Sequence, residues 1–201
     1  MEFLTDGPDD AGRTFLFAHG AGGAMDTPFM AQIARGIAAR GIRVVRFEFP
    51  YMAARRTGGS RRAPDRPPLL LETFREVVRA QSRGTILIGG KSMGGRIASM
   101  VADELSVEGL VCLGYPFHPP GAPSKLRTAH LASLKTPALI VQGERDPFGT
   151  RDEVAGYMLP ASIRVEWLPG GDHSFKPRAA SGVSYADNMA RAIELAAAFM
   201  T

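Results

Sequence analysis

The stretch GGKSMGG, residues 89–95, decides the fold because it fits two different catalytic turns. Gly90-Lys91-Ser92 matches the end of a phosphate-binding P-loop, G-x-x-x-x-G-K-[ST]. The same residues, continued to Gly94, match the sharp strand-to-helix turn G-x-S-x-G that presents a nucleophilic serine. The first interpretation requires a nucleotide and magnesium, whereas the second requires neither.

Spacing excludes the P-loop. Its first glycine belongs six residues before Lys91, where this sequence has Thr85. The apolar residues 86–88 also lead almost directly into Gly90, so no loop remains to surround a phosphate. The serine turn fits in both respects, because Gly90 and Gly94 flank Ser92 at two residues on either side and a bent backbone needs small neighbours. Its simpler alternative is an ordinary strand-to-helix turn.

Six short apolar runs alternate with segments of helical periodicity along the chain. The runs are rich in Val, Ile, Leu or Phe and end at Gly or Pro, as strands buried on both faces of a parallel sheet do. The predicted strands are 14–20, 42–49, 85–90, 109–115, 137–144 and 164–170, and the predicted helices are 27–40, 68–81, 92–105, 150–159 and 184–200. The alternation predicts a single α/β domain over residues 1–201, with a mostly parallel sheet of about six to seven strands flanked by helices.

Composition narrows the class of protein. Hydrophobic residues make up 45% of the 201 residues and charged residues 22%, which is typical of a globular domain. No apolar run approaches the ~20 residues that a membrane-spanning helix needs. Cys112 is the single cysteine, and the N-terminus lacks the basic and apolar parts of a secretory signal. We therefore expect a cytoplasmic protein that does not bind a membrane.

The net charge of +4 is concentrated in one segment. Residues 40–66 contain eight arginines and only two acids. The overlapping residues 55–68 are too rich in Arg, Gly and Pro to predict regular structure. No nucleic-acid-binding module accompanies the charge, so nucleic acid is not an expected partner. The loop 50–68 is either a solvated arginine loop or a mobile basic flap that attracts an anionic substrate.

Candidate catalytic residues follow three of the predicted strands. In a parallel α/β sheet the reactive groups lie at the carboxyl ends of the strands. Ser92 is followed in the chain by Asp146, just past the fifth strand, and by His173, just past the sixth, which is the order serine, acid, histidine. An imidazole can take the proton of the serine, and a carboxylate fixes the tautomer of the imidazole. Glu144 is predicted to belong to the strand end, and Asp172 adjoins His173 too closely to reach its ring.

Simpler roles exist for two of these residues. Asp146 before a proline is also typical of a surface turn, and His173 is also compatible with a plain loop histidine.

Backbone groups near the serine are predicted to bind a developing oxyanion. One donor is the N–H of Met93, the residue after the nucleophile, and the second comes from the glycine-rich loop 18–23. We assign the second donor to Ala21, with Gly22 as the alternative. His19 in this loop is expected to brace it by hydrogen bonds.

Three residues after the fourth predicted strand are candidates for substrate binding. Tyr115, Phe117 and His118 are expected to line an apolar acyl pocket, with rigid packing braced by the nearby prolines as the equal alternative.

Several motifs together resemble the α/β-hydrolase superfamily. They are HGAGG, GGKSMGGR, QGERDPFG and GDHSF, and residues 114–131 are similar to a segment of its small dienelactone-hydrolase-like branch, which includes testis-expressed and histone-acetyltransferase-complex hydrolase-like proteins. The resemblance covers nearly the whole chain. It implies an α/β-hydrolase fold without a large cap domain, at most a remnant of the N-terminal strand pair in residues 1–7, and an esterase-type serine hydrolase that uses Ser92, Asp146 and His173.

The expected reaction is hydrolysis of a carboxylic ester or thioester of a small molecule through an acyl-enzyme on Ser92. The flap alternative for loop 50–68 predicts that this small molecule is anionic. No metal or cofactor is expected, because the serine pathway needs none. A non-catalytic binding or scaffold module on the same fold is the alternative function. The sequence determines neither the substrate nor the oligomeric state.

Overall fold

A computed structural model of the chain describes residues 1–58, 62–81 and 83–201. The described residues form one sheet of seven strands in the order β1-β3-β2-β4-β5-β6-β7. Every neighbouring pair is parallel except β1 and β3, which are antiparallel. The strands are β1 (Phe3–Asp6), β2 (Arg13–Ala18), β3 (Arg43–Phe47), β4 (Thr85–Lys91), β5 (Gly109–Leu113), β6 (Ala138–Gly143) and β7 (Ile163–Leu168).

Helices cover both faces of this sheet. Those in the described residues are α1 (Pro28–Ala38), α2 (Pro50–Arg56), α3 (Pro67–Ala80), α4 (Met93–Ser99), α5 (Arg151–Ala155) and α6 (Tyr185–Met200). Phe15 of β2 packs in one apolar cluster with residues of α1 and α6, and Leu16 packs in the other with residues of α3 and α4. Side chains of a strand alternate between the faces, so both faces are buried, as the apolar runs predicted.

Local sequence signals explain where the helices begin. Proline occupies a first-turn position of α1, α2 and α3, where its missing N–H costs nothing. Capping boxes begin the other two outer helices: Thr150 with Glu153 at α5, and Ser184 with Asp187 at α6. In each box the side chains satisfy N–H groups that the first turn leaves without a partner.

The predicted compact α/β-hydrolase fold with a mostly parallel sheet and no large cap domain is confirmed. All six predicted strands are present with ends shifted by a few residues, and residues 3–6 supply β1, the remnant strand, at the edge of the sheet. Residues 114–137 between β5 and β6 contain one 3₁₀ turn and otherwise irregular backbone. In the ranges that the structure describes, no helix is long and apolar enough to cross a membrane.

Some predicted boundaries were wrong. A loop throughout 50–68 was expected, but residues 50–56 form α2, since Tyr51 and Met52 are buried in the core and fix this turn against the sheet. The helix predicted to reach residue 105 ends at Ser99 and continues as turns up to Ser106, whose φ of 50° reverses the chain toward β5. The predicted helix 150–159 likewise ends at Ala155.

Candidate active site

Ser92 occupies a strained turn between β4 and α4. Its φ of 52° and ψ of −117° lie outside the regions that most residues prefer. A Cβ added to Gly90 would come within 2.5 Å of the carbonyl carbon of Gly94, and one added to Gly94 within 2.5 Å of the carbonyl oxygen of His19. Both contacts are with backbone, which cannot yield easily. The two glycines of the motif are therefore required by the close approach of the turn to the end of β2.

The structure brings Ser92, His173 and Asp146 together at the carboxyl edge of the sheet. His173 Nε2 lies 2.8 Å from Ser92 Oγ, and His173 Nδ1 lies 2.7 Å from Asp146 Oδ2. A carboxylate only accepts hydrogen bonds, so Nδ1 carries the proton and Nε2 is left to accept from the serine hydroxyl. The arrangement has the geometry in which a histidine removes a serine proton.

Asp146 is fully buried, and each of its oxygens has further donors. Oδ1 accepts the N–H of Phe148 at 2.9 Å, and Oδ2 accepts Nε2 of Gln142 at 2.9 Å in addition to the histidine. Gln142 is itself buried in β6, where its Oε1 accepts the N–H of Tyr115 at 2.7 Å. The sequence signal for Gln142 was a single amide in an otherwise apolar strand, and the sequence interpretation missed it. Its role is to orient the carboxylate that orients the histidine.

The two competing acids have other partners. Glu144 accepts Arg151 Nη1 at 2.8 Å and the N–H of Gly170 at 2.9 Å. Asp172 accepts the N–H groups of Ser174 and Lys176 at 2.8 and 3.0 Å, which shapes the loop that carries the histidine. Neither acid replaces Asp146 as the partner of His173 Nδ1.

Burial controls the protonation of His173. Loss of solvation lowers the pKa of His173 below its ordinary 6.5, and the positive charge of Lys91 lowers it further. The hydrogen bond that His173 donates to Asp146 acts in the opposite direction. The ring of Phe148 lies 4.2 Å from that of His173, centroid to centroid, and covers one face. The imidazole is therefore neutral near pH 7, which is the state that can accept a proton.

Lys91 is a buried cation directly before the serine. Its Nζ donates to the carbonyl oxygen of His173 at 2.6 Å and lies 5.6 and 6.0 Å from the ring centres of Phe29 and Phe175. Burial lowers the pKa of Lys91 to about 8, with Asp146 opposing that shift. The residue that made the motif resemble a P-loop thus ties the histidine loop to β4.

The glycine-rich loop after β2 is held by side chains on both sides. Tyr51 Oη donates to the carbonyl oxygens of Ala21 and Gly20 at 3.0 and 3.3 Å. His19 is buried, donates from Nδ1 to the carbonyl oxygen of Gly20 at 2.7 Å, and accepts the N–H of Phe49 at Nε2 at 3.1 Å. These bonds fix the part of the loop that faces Ser92.

Two cavities meet at Ser92. The first, of about 340 Å³, has Gly22, Lys91 and His173 in its wall. The second, of about 360 Å³, has Met93, Arg96 and Arg127 in its wall. Ala21, Ser92 and Phe148 belong to both, so the serine lies on the boundary between the two spaces.

Comparison with known proteins gives the family. The sequence profile of the alpha/beta hydrolase domain matches residues 11–201. The chain belongs to the alpha/beta hydrolase family.

Solved structures share the fold of this alpha/beta hydrolase. An α/β serine hydrolase without lid from Xanthomonas campestris has a TM-score of 0.73 and 21% identity, over 98% of this chain and 88% of that one. An α/β serine hydrolase homologue from Coxiella burnetii has a TM-score of 0.69 and 21% identity, over 99% and 91%. The esterase domain of a Rhodothermus marinus protein has a TM-score of 0.68 and 19% identity, over 97% and 89%.

The residues expected to line an acyl pocket do not reach either cavity. Tyr115 and Phe117 are fully buried, with rings 4.8 Å apart in the core, and His118 is buried beside Glu153 with Nε2 3.4 Å from its carboxylate. Within the described residues, the walls of the two cavities include Pro116 from this segment but none of these three. The segment returns toward the core after β5, so these three residues take part in rigid packing, which was the alternative interpretation. Their assignment to substrate binding was wrong.

The basic flap hypothesis is also not supported by the geometry. Arg56 binds Glu48 at 2.7 Å and Asp26 at 2.9 Å, and Arg55 lies over the ring of Tyr51 and donates to the carbonyl oxygen of Arg62. These two guanidinium groups bind the protein itself. Arg61, which was part of the same hypothesis, lies outside the described residues.

Proposed function

We propose that this alpha/beta hydrolase cleaves a carboxylic ester or thioester of a small molecule through an acyl-enzyme on Ser92. One observation carries the proposal: the hydroxyl of a serine in a strained turn lies 2.8 Å from a histidine nitrogen whose other nitrogen is 2.7 Å from a buried carboxylate. A neutral imidazole in this position removes the serine proton as the oxygen attacks a carbonyl carbon.

The first half of the reaction forms the acyl-enzyme. His173 takes the proton from Ser92 Oγ as a new bond forms between Oγ and the carbonyl carbon of the substrate. The carbonyl oxygen becomes an oxyanion, for which we assign the N–H of Met93 and that of Ala21, with Gly22 as the alternative. Met93 is the first residue of α4, so its N–H has no acceptor within the helix. His173 then gives its proton to the departing alcohol or thiol, and the bond from the carbonyl carbon to this group breaks.

Water completes the cycle by the same route. His173 removes a proton from a water molecule, whose oxygen attacks the acyl carbon, and then returns that proton to Ser92 Oγ as the carboxylic acid leaves. Asp146 stabilises the imidazolium that forms twice in each cycle. The proposed path uses no metal. In the part of the chain that the structure describes, no group of three His, Cys, Asp or Glu side chains is arranged to hold one.

The two cavities divide the substrate between them in this proposal. The leaving group has to lie near His173, because it receives its proton from Nε2. His173 is in the wall of the first cavity. The acyl chain therefore extends into the second cavity, past Met93 and the start of α4.

The family branch and the compartment belong to the same proposal. The similarity of residues 114–131 favours the small dienelactone-hydrolase-like branch, with serine as its nucleophile. Cys112 is buried and its thiol pKa is raised by burial, so it is no second nucleophile. A chain with one buried thiol needs no oxidising compartment, and we propose a cytoplasmic enzyme.

Hydrolysis of p-nitrophenyl acetate and butyrate, and of butyryl thioesters, tests the proposal. We expect turnover by the wild type and a loss of about 10⁴–10⁶-fold in kcat for Ser92→Ala, with unchanged urea unfolding. A folded wild type that hydrolyses no member of the set, or a Ser92→Ala protein of equal activity, would contradict the proposal. The first outcome would favour a non-catalytic binding module.

A further inference from the structure

Two arginines in the wall of the second cavity have no acidic partner in the part of the chain that the structure describes. Arg96 projects from α4, one turn after the serine, and Arg127 comes from the irregular segment between β5 and β6. Among the described residues, no carboxylate lies within ion-pair distance of either guanidinium, and the buried Nε of Arg96 has no hydrogen-bond partner. A buried N–H without an acceptor is costly, so the site favours an acceptor supplied from outside.

The positive charges of these residues reinforce one another. Burial lowers the pKa of Arg127, and the neighbouring charge of Arg96 lowers it further. Arg96 acts in the same direction on the pKa of His130. Asp65 is the acid in this cavity wall, but its Oδ2 accepts the N–H of Tyr51 at 2.8 Å and makes no ion pair with either arginine among the described residues. The cavity therefore carries two guanidinium groups against one occupied carboxylate.

Backbone and side-chain bonds hold Arg127 at the cavity. Its N–H donates to the carbonyl oxygen of Phe117 at 2.7 Å, and its own carbonyl oxygen accepts from Tyr115 Oη at 3.0 Å. His130 Nε2 lies 2.8 Å from Ser99 Oγ, which ties the same segment to α4. Tyr115 and Phe117, which do not line the cavity, thus determine the position of the Arg127 backbone. Because the backbone of Arg127 is held in place, less reorganisation is needed when its side chain binds an anion.

The remainder of the wall is apolar. Leu70, Ile97 and Pro116 belong to the same wall as the serine and the two arginines. Such a wall suits methylene groups, whereas a planar pair of guanidinium donors suits a carboxylate.

We propose that the second cavity binds acyl groups with a carboxylate at their far end, so that Arg96 and Arg127 select half-esters or half-thioesters of dicarboxylic acids. This specificity rests on the proposed serine hydrolysis and concerns the same site. The apolar wall holds the chain, and the two arginines hold its terminal carboxylate.

The ratio of two specificity constants tests this proposal directly. The probes are p-nitrophenyl half-esters of adipic, suberic and azelaic acid, each paired with the same molecule capped as its methyl ester. For at least one chain length we expect the wild type to prefer the anionic probe by about 10-fold or more in kcat/KM. Arg127→Gln and Arg96→Gln each lower this ratio by about 10- to 100-fold, mostly through KM. Arg127→Lys retains part of the preference because it keeps the charge.

Arg191→Gln is the matched control. It removes one positive charge from the surface of α6, where Arg191 pairs with Glu194, and it leaves the ratio unchanged. Equal probe ratios in wild type and Arg127→Gln would overturn the proposal while leaving ester hydrolysis intact.

Binding measured without turnover separates the two proposals. In Ser92→Ala, calorimetry with monomethyl suberate and monomethyl azelate is expected to show binding, and the dimethyl esters to bind more weakly. Adding Arg96→Gln and Arg127→Gln removes the difference. If the wild type hydrolyses no ester but this arginine-dependent binding remains, the proposed hydrolysis fails and the carboxylate site stands. If the monomethyl and dimethyl esters bind equally to Ser92→Ala, the carboxylate site is wrong.

Discussion

The two cavities that meet at Ser92 both have positively charged side chains in their walls, but these charges have different partners. In the first, Lys91 donates to the carbonyl oxygen of His173 at 2.6 Å and faces two aromatic rings. In the second, Arg96 and Arg127 have no carboxylate partner among the described residues. Lys91 is thus already bound by the protein, whereas Arg96 and Arg127 remain available to bind a ligand.

This difference separates residues that position the catalytic histidine from residues that recognise the substrate. A cation already bound to backbone contributes to the placement of the catalytic histidine and has little to offer a substrate. Two neighbouring guanidinium groups with no carboxylate partner among the described residues add nothing to the stability of the protein until an anion binds, because like charges repel. The comparison therefore assigns proton transfer to the first side of the serine and acyl specificity to the second. The following changes test each part of it, beginning with the largest effect.

Removal of His173 is expected to have the largest effect. His173→Ala lowers kcat by about 10⁴–10⁶-fold because, among the described residues, His173 is the side chain that hydrogen-bonds to Ser92 Oγ. The loss is the same for anionic and neutral esters, since the histidine serves the reaction and not the recognition. Steady-state assays of the wild type and the variant with anionic and neutral esters measure this loss of kcat. A variant that retains more than a tenth of the wild-type kcat would show that another group activates the serine.

The turn between β4 and α4, which carries Ser92, is expected to tolerate no added methyl group at Gly94. Gly94→Ala places a Cβ within 2.5 Å of the His19 carbonyl oxygen and lowers the free energy of unfolding by about 3 kcal/mol or more. Gly12→Ala is the control, because a Cβ there meets nothing within 4 Å, and its effect stays within about 0.5 kcal/mol. Urea unfolding of the two variants gives the comparison. Equal stabilities would mean that the turn is less tightly packed than described.

Lys91 is expected to make the stability depend on pH in the alkaline range. Its pKa is lowered from 10.5 in the unfolded chain to about 8 in the folded protein. Between these values the unfolded chain binds more protons, so the wild type loses stability as the pH falls from 10.5 to 8 and loses no more below. Lys91→Met lacks this loss. As the pH falls from 10.5 to 8, the free energy of unfolding of the variant relative to that of the wild type therefore rises by about 3 kcal/mol.

Urea unfolding of both proteins at several pH values between 7 and 10.5 measures this difference. Parallel stability profiles would show that Lys91 is solvated, and would remove the contrast between the two cavities.

The acid limb of the pH–rate profile is expected to show the smallest effect. His173 acts as a base only when neutral, and burial holds its pKa below 6.5. For a neutral ester, the pH at which kcat/KM has fallen to half its plateau value therefore lies below 6.5. Lys91→Met moves this midpoint upward, because the charge of Lys91 contributes to the lowered pKa of His173. A midpoint above 6.5 in the wild type, or a downward shift in the variant, would contradict the account.

The sequence was sufficient to predict six of the seven strands and to predict that Ser92, Asp146 and His173 lie together. The apolar runs, the two glycines around Ser92 and the order of Asp146 and His173 at strand ends are local signals, and the parallel sheet brings strand ends together. Helix α2 was missed because its arginine-rich sequence favours a loop, and burial of Tyr51 and Met52 overrides that preference.

The second cavity could not be predicted from the sequence. Tyr115 and Phe117 after a strand end look the same whether they enter the core or face a substrate, and only the path of the following chain decides between them. Arg96 and Arg127 were two of 20 arginines, and their common cavity depends on packing between α4 and the segment after β5. Whether a charge is paired is a property of tertiary structure. Gln142 was missed for the same reason, since its partners are Tyr115, in the loop after β5, and Asp146 and Gly149, in the turn after β6.

Labelling with a fluorophosphonate probe, followed by intact mass measurement, tests the central claim most directly. This reagent reacts with serines that a neighbouring base has activated. The account predicts one adduct on the wild type and none on Ser92→Ala, with both proteins folded. An unlabelled wild type, or a Ser92→Ala protein labelled to the same extent, would contradict the claim that Ser92 is the activated nucleophile.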